Sequence, residues 1–167
     1  MTFDEQCKNK LEKLENWNKQ KKQLAVEEIQ RAREQQLAVE EIQRARERIN
    51  GFPLQKRIYW VSFGENVGFE LSSKHPALVV SANHYNKTGT VIVAPITSGK
   101  IRRDRNILQC QYELFESKYG ALDKDCLIKL DQLRTVSVSR VLNEICYVSQ
   151  ADWKRIVLRL KKTFAIK

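Results

Sequence analysis

Hydrophobic and polar positions follow two rhythms along this chain, and the change between them falls near residue 51. Residues 3–49 contain no Gly or Pro and are dense in Glu, Lys, Gln, Arg, Leu and Ala, all good helix formers. The stretch GFP at 51–53 ends that texture, because Gly with Pro close behind stops a helix. The pattern predicts one long helix over 3–49, or two helices broken near Lys19–Lys22. From Arg57 the texture becomes short runs rich in Val, Ile, Tyr and Phe, bounded by Gly, Asn, Ser or Pro: RIYWVSFG, PALVVSA, TVIVAPITS, CLIKLDQLRTVSV and EICYVS. Five or six such strands in about 90 residues predict a small antiparallel barrel. The segment KYGALDKDC reads as a connection, with a short helix upstream at CQYELFES. The end, SQADWKRIVLRLKKTFAI, reads as an amphipathic helix with Ser149 as N-cap. Trp153, Ile156, Val157, Leu160 and Phe164 lie on one face of that helix, which is expected to cover the barrel. The fold class expected is α+β: a helical extension over 1–51, then a barrel domain over 52–167.

The helical segment carries a direct repeat. QLAVEEIQRARE occupies 23–34 and recurs unchanged at 36–47, a period of 13 residues. Thirteen residues at about 100° each advance a helix by roughly 220° beyond whole turns. Leu24 and Ile29 therefore share no stripe with Leu37 and Ile42. A coiled coil needs a period near 7 or 11, so one partner helix cannot follow the duplicated segment along its length. Two readings stand: a tandem duplication that lengthens a surface helix, or an oligomerisation or docking arm whose copies face different neighbours.

Charge sharpens the division. The chain has 30 Lys+Arg against 20 Asp+Glu, a formal net charge of +10. Residues 1–51 hold 11 basic and 10 acidic side chains, and 52–167 hold 19 and 10, so the barrel carries nearly the whole excess. A basic field of that size fits a polyanionic partner, nucleic acid being the commonest. The four cysteines, Cys7, Cys110, Cys126 and Cys146, show no CxxC pair and no zinc-ligand spacing, which points to a reducing, cytoplasmic setting. The first 17 residues contain no apolar run, so neither a signal peptide nor a membrane anchor is expected there.

Three polar sets on the barrel could carry chemistry. The first is ELSSKH, Glu70–His75, read as the loop after the first strand. An imidazole ordinarily titrates near pH ~6.5 and can hold or donate a proton at neutral pH, although His75 could also be a loop histidine without a role. The second is PITS, where the Thr97 and Ser98 hydroxyls at a strand end could bind phosphate or simply cap a turn. The third is KLDQLRT, where Lys129 and Asp131 alternate with Leu130 and would share one side of a strand, near Gln132 and Arg134. Such a pair is commonly no more than a solvated face. No Asp/Glu/His cluster has metal-ligand spacing, and the phosphate-binding GxxxxGK[ST], dinucleotide GxGxxG and hydrolase GxSxG patterns are absent. No metal or cofactor is expected. If RNA is the substrate, its 2′-hydroxyl can itself be the nucleophile, and the protein supplies base, acid and positive charge.

RIYWVSFGENVGFELSSKHPALVVSANHYNKTGTVIVAPITS followed by CLIKLDQLRTVSVSRV resembles the MazF/PemK family of toxin endoribonucleases, over about residues 56–165. The resemblance implies an SH3-like barrel, a homodimer and metal-free cutting of single-stranded RNA, mostly mRNA, at short sequences. The implied products are a 2′,3′-cyclic phosphate and a 5′-hydroxyl, and the implied protein partner is a cognate antitoxin. It also assigns roles. His75 stands where the family usually keeps an arginine serving in acid catalysis and phosphate binding. Thr97 falls on the other residue assigned to catalysis, and Glu70 on the family's loop glutamate. Asp131 falls on an aspartate proposed as general base in some members, Lys129 where those members carry a catalytic arginine, and Gln132 and Arg134 on residues lining the RNA groove. The loop histidine of some members falls at Phe69, so that version of the mechanism is lost. Lys74 could supply the permanent charge that His75 lacks, Ser98 joins the RNA-binding set, and Phe69 and Tyr85 could stack bases. The alternative is a non-catalytic MazF-like barrel binding RNA or a protein such as DNA gyrase, with the helical arm as interaction module.

Overall fold

The computed structural model describes residues 3–66, 68, 70–98 and 107–166, which divide into two compact units, Met1–Glu41 and Ile42–Lys167. The helical segment is one helix, α1 (Phe3–Arg48), with no break near Lys19–Lys22. Its exposed surface is tied by i,i+4 pairs. Gln23 donates to Glu27 at 3.3 Å and Gln36 to Glu40 at 3.5 Å, the same pair in each copy of the repeat. Lys21 lies 5.4 Å from the Trp17 ring.

The second unit begins inside this helix. Ala45 is fully buried, and Ile42 reaches Gly89 closely enough that a Cβ there would meet its Cδ1 at 3.2 Å. Arg46 donates to the Lys87 carbonyl at 3.3 Å and stacks 4.6 Å from the Phe52 ring. Asn50, at φ 53°, ends the helix in the left-handed conformation, with Gly51 N–H on the Arg46 carbonyl at 2.8 Å and Asn50 N–H on that of Glu47 at 3.3 Å.

Seven antiparallel strands follow: β1 (Arg57–Ser62), β2 (Lys74–Val79), β3 (Thr90–Thr97), β4 (Gln111–Leu114), β5 (Cys126–Lys129), β6 (Arg134–Ser137) and β7 (Val141–Tyr147). Their order is β4-β5-β3-β2-β1-β7, with β6 also on β3. The sheet curls as in a small barrel but leaves β4 and β7 unpaired with each other. Alternation along each strand feeds two cores. Tyr59, Val61, Ala77, Val79, Val91 and Val93 form one, and Ile58, Leu78, Ala94, Ile96, Ile128 and Leu130 belong to the other. The C-terminal helix α2 (Gln150–Thr163) covers the second core with Ile156, Trp153 and Leu160.

Several expectations are corrected. CQYELFES contributes strand β4, because Tyr112 and Leu114 are buried on one face while the backbone pairs with β5. CLIKLDQLRTVSV is two strands, not one, interrupted by a 3-10 turn at Leu130–Gln132. Phe164 caps α2 rather than packing beneath it and is half exposed. Ser149 caps the helix as expected, accepting from Asp152 N–H at 3.3 Å.

Asp152 fastens α2 to the sheet side. Its buried carboxylate accepts from Tyr112 at 2.8 Å, Lys118 at 2.5 Å, Ser149 at 3.0 Å and the Tyr119 hydroxyl. Burial alone would raise its pKa, but these donors outweigh burial and hold the carboxyl far below its ordinary range. Burial, then the hydrogen bond to Asp152, pushes the Tyr112 and Tyr119 phenols up, so both remain donors.

Candidate functional site

Two prolines break the strand ladders, and the site residues gather at the breaks. Val80 donates to the Ile92 carbonyl at 2.9 Å, and Leu78 lies opposite Ala94. Hydrogen-bonded pairs recur every second residue, so the next would join residue 76 to Ile96. Residue 76 is proline and has no N–H, and the β2–β3 ladder stops at Ala77–Pro95. On the opposite edge of β3, Val138 donates to the Gly89 carbonyl at 2.9 Å, and Val93 faces Arg134 on β6. The same step carried on sets Pro95 against Gln132. Pro95 also lacks a donor, and there the partner chain coils into the 3-10 turn before β5 resumes pairing at Ile96–Ile128.

The first break is a fork between β2 and β3 that opens a cavity of about 490 Å³. Lys74, His75 and Ser98 line it, with Trp60 and, from the 121–126 connection, Asp123 and Lys124. Lys74 and His75 belong to strand β2 rather than to the preceding loop, paired with Ser62 and Val61 on β1. The Lys74 ammonium lies 5.1 Å from the Trp60 ring, a cation–π contact that leaves its charge at the cavity mouth. Among the described residues, no hydrogen bond or ion pair engages the side chains of His75, Ser98 or Lys124. Cys126 also lines this wall, but burial pushes its thiol up and leaves it a poor nucleophile. Thr97 lines neither this cavity nor the next; it is half-buried at the end of β3, paired with Leu127.

The second break faces a cavity of about 620 Å³ lined by Glu70, Asp131, Gln132 and Arg134, with Phe63, Asn66 and Arg140. Asp131 and Gln132 are on the 3-10 turn, so Lys129 and Asp131 do not share a strand face. Lys129 ends β5 opposite Gln111, and Leu130 is fully buried, its N–H on the Cys110 carbonyl at 2.9 Å. Most polar groups here are already engaged. Arg134 donates to the Leu71 carbonyl at 3.2 Å, approaches Glu70 at 3.4 Å and stacks 5.4 Å from the Phe63 ring. Arg140 reaches the Phe63 carbonyl at 3.4 Å, and the Asn66 amide the Leu71 carbonyl at 2.6 Å. These contacts tie Phe63, Asn66, Glu70 and Leu71 to the cavity wall. The buried Gln132 Oε1 accepts no hydrogen bond among the described residues.

The nine residues singled out in the sequence are thus sorted into Lys74, His75 and Ser98 at one break, Glu70, Asp131, Gln132 and Arg134 at the other, and Thr97 and Lys129 on strand ends between. Phe69 lies outside the described residues, and Tyr85 is exposed on a separate 3-10 turn against His84, their ring centroids 3.9 Å apart. Trp60, Asn66, Lys124 and Arg140 were not singled out. Trp60 carried a signal, being the half-exposed aromatic on an alternating strand, whereas Lys124 is 49 residues from His75 and only the fold joins them. Among the described residues, no three His, Cys, Asp or Glu side chains gather as a metal-ligand set.

Comparison with known proteins places this geometry. In sequence, the chain is 32% identical over 100 residues to the endoribonuclease MazF of Staphylococcus saprophyticus, a match covering 59% of this chain and 80% of the relative. Among solved structures, MazF from Deinococcus radiodurans has a TM-score of 0.57 at 20% identity, covering 69% of this chain and 98% of that one. An endoribonuclease in complex with its cognate antitoxin, from a mycobacterial species, has a TM-score of 0.54 at 19% identity, covering 69% of this chain and 97% of that one. At these identities the two structures speak for the fold. Residues 54–164 match the family model for the PemK-like, MazF-like toxin of type II toxin–antitoxin systems, and the chain belongs to that family.

Proposed function

We propose that this chain is the toxin of a toxin–antitoxin pair and an endoribonuclease that cuts single-stranded RNA by internal transesterification. The observation that carries the reading is the family match across the whole barrel, with the fork cavity supplying unengaged polar side chains inside it. The 2′-oxygen attacks the adjacent phosphorus while the bond from phosphorus to the 5′-oxygen breaks. Asp131 takes the 2′ proton, with Lys129 offsetting charge, and His75 gives a proton to the leaving 5′-oxygen. Lys74, Thr97 and Ser98 hold the phosphoryl oxygens, and Glu70, Gln132 and Arg134 hold neighbouring nucleotides. The two breaks fall on opposite edges of β3 at successive residues, Pro95 and Ile96, so an RNA strand crossing that end of β3 would reach both.

The finer parts of the proposal are a homodimer, cytoplasmic residence, catalysis without metal, and an antitoxin that covers the same groove. No helix among the described residues is long and apolar enough to cross a membrane, and the mycobacterial relative was solved with an antitoxin bound. The experiment is incubation of purified protein with RNA in EDTA, the products read by mass. The expected products end in 2′,3′-cyclic phosphate and begin with 5′-hydroxyl. A strict requirement for magnesium, or binding with no cut, would overturn the reading.

A further inference from the structure

The N-terminal arm, residues 3–41, has a surface that the catalytic reading does not use. Its large apolar side chains are exposed: Leu11 by 60%, Leu14 by 50% and Ile29 by 68%. On a helix at about 100° per residue, Cys7, Leu11, Leu14, Ala25, Ile29 and Ala32 fall within an arc of roughly 60°. Asn18 and Gln36 complete the arc. Positions 7, 11, 14 and 18 recur 18 residues on as 25, 29, 32 and 36, which is five whole turns at 3.6 residues. The duplication hides this seam, because its two copies contribute different positions to it.

The seam can pair with itself in either direction, and charge decides between them. Set antiparallel against itself, it pairs 7 with 36, 11 with 32, 14 with 29 and 18 with 25, so every seam position meets a seam position. Leu11 then packs on Ala32 and Leu14 on Ile29. Charge agrees. Residues 3–22 hold six basic and four acidic side chains, and residues 23–41 hold two basic and five acidic. Antiparallel pairing lays the net positive half of one arm on the net negative half of the other. Parallel pairing sets each half on its like. A polyanion or an anionic membrane is disfavoured as occupant, since the arm as a whole has nine acidic against eight basic side chains and lacks the basic polar face such binding uses. We infer that the arms of two copies of this chain pair antiparallel through this seam, centred near Lys21–Lys22.

Cys7 provides the test on the full chain. In the Gln36→Cys variant, the two thiols of one chain stand 29 residues apart on a straight helix, roughly 44 Å, far beyond the ~4.4–6.8 Å between Cα atoms that a disulfide spans. A bond between positions 7 and 36, located by peptide mass after mild oxidation, therefore joins two chains. Its yield is expected to exceed by at least about tenfold that of a 7–23 bond in Gln23→Cys, which sits on the opposite face. Adding Leu14→Glu to Gln36→Cys should abolish the bond while circular dichroism shows the helix retained. Equal yields from Gln36→Cys and Gln23→Cys, or a dominant Cys7–Cys7 bond in the unsubstituted chain, would overturn the inference.

Discussion

The two ladder breaks on β3 arise the same way and end differently. At each, a proline withholds the hydrogen bond that would have continued a strand pair, and a cavity opens. At Pro76 the side chains of His75, Ser98 and Lys124 have no hydrogen-bond or ion-pair partner among the described residues. At Pro95 the cations are engaged by the protein itself, Arg134 by Leu71 and Glu70, Arg140 by Phe63. An unengaged group can exchange a proton or grip a phosphate, whereas a stapled guanidinium chiefly fixes the loop that carries it. In the proposed mechanism, proton transfer to the leaving group belongs to the fork and nucleotide placement to the stapled cavity. Asp131 crosses that division, because it lines the stapled cavity yet is exposed and without an internal partner among the described residues.

The largest test removes the fork's histidine together with Thr97 at the end of β3. His75→Ala combined with Thr97→Ala should lower kcat by at least about 10²-fold, the usual scale of general acid–base catalysis. Cutting at the normal rate would erase the contrast between the cavities. Asp131→Asn comes next, with a fall of about 10- to 100-fold in kcat if the carboxylate takes the 2′ proton; a change confined to KM would return Asp131 to the binding side. A third variant spares both cavities. Asp152→Asn should cost roughly 1–3 kcal/mol of stability, because four neutral or charged donors lose their anionic acceptor, with kcat little changed at temperatures where the protein stays folded. The wild type should show the same tie in acid. A depressed native pKa contributes stability that is full above the ordinary carboxyl value of 3.8 and is lost as pH falls below it, which a denaturant midpoint measured between neutral pH and pH 3 would register.

Smaller effects separate binding from chemistry. Arg134→Ala should raise KM several-fold with kcat within about twofold, since it loosens the loop without touching the proton path. His75→Arg should change cleavage least in acid and most at alkaline pH. A histidine acid must be protonated to act, so cleavage should decline as pH rises, and arginine, which stays charged, should remove that decline. An unchanged profile would take the acid role from His75.

The sequence disclosed the barrel well where alternation and turn residues agreed, as in RIYWVS and TVIVAPIT. It misled where one run hid two elements. Nothing in KLDQLRT announces a 3-10 turn, since the cause is Pro95, 36 residues earlier and one strand over. CQYELFES looked helical because Gln111, Glu113, Leu114 and Glu116 are good helix formers. The repeat is the sharpest case. Ile29 and Ala32 are exposed while the identical positions one copy later, Ile42 and Ala45, are half-buried and buried. No local rule separates twelve residues from the same twelve. The site residues were legible as a set only through resemblance, and their sorting into two cavities depends on ladder register, which periodicity alone does not give.

Pro76 has one more consequence, for how this protein can change over time. The gap beside His75 is set by a missing backbone donor, so its existence does not depend on which side chain stands at 75. An arginine, as the resemblance expects there, and a histidine can exchange without closing the cavity or unfolding the strand. The backbone thus makes position 75 tolerant to drift, and, if His75 is the acid of the proposed mechanism, a single substitution there retunes the enzyme's pH range.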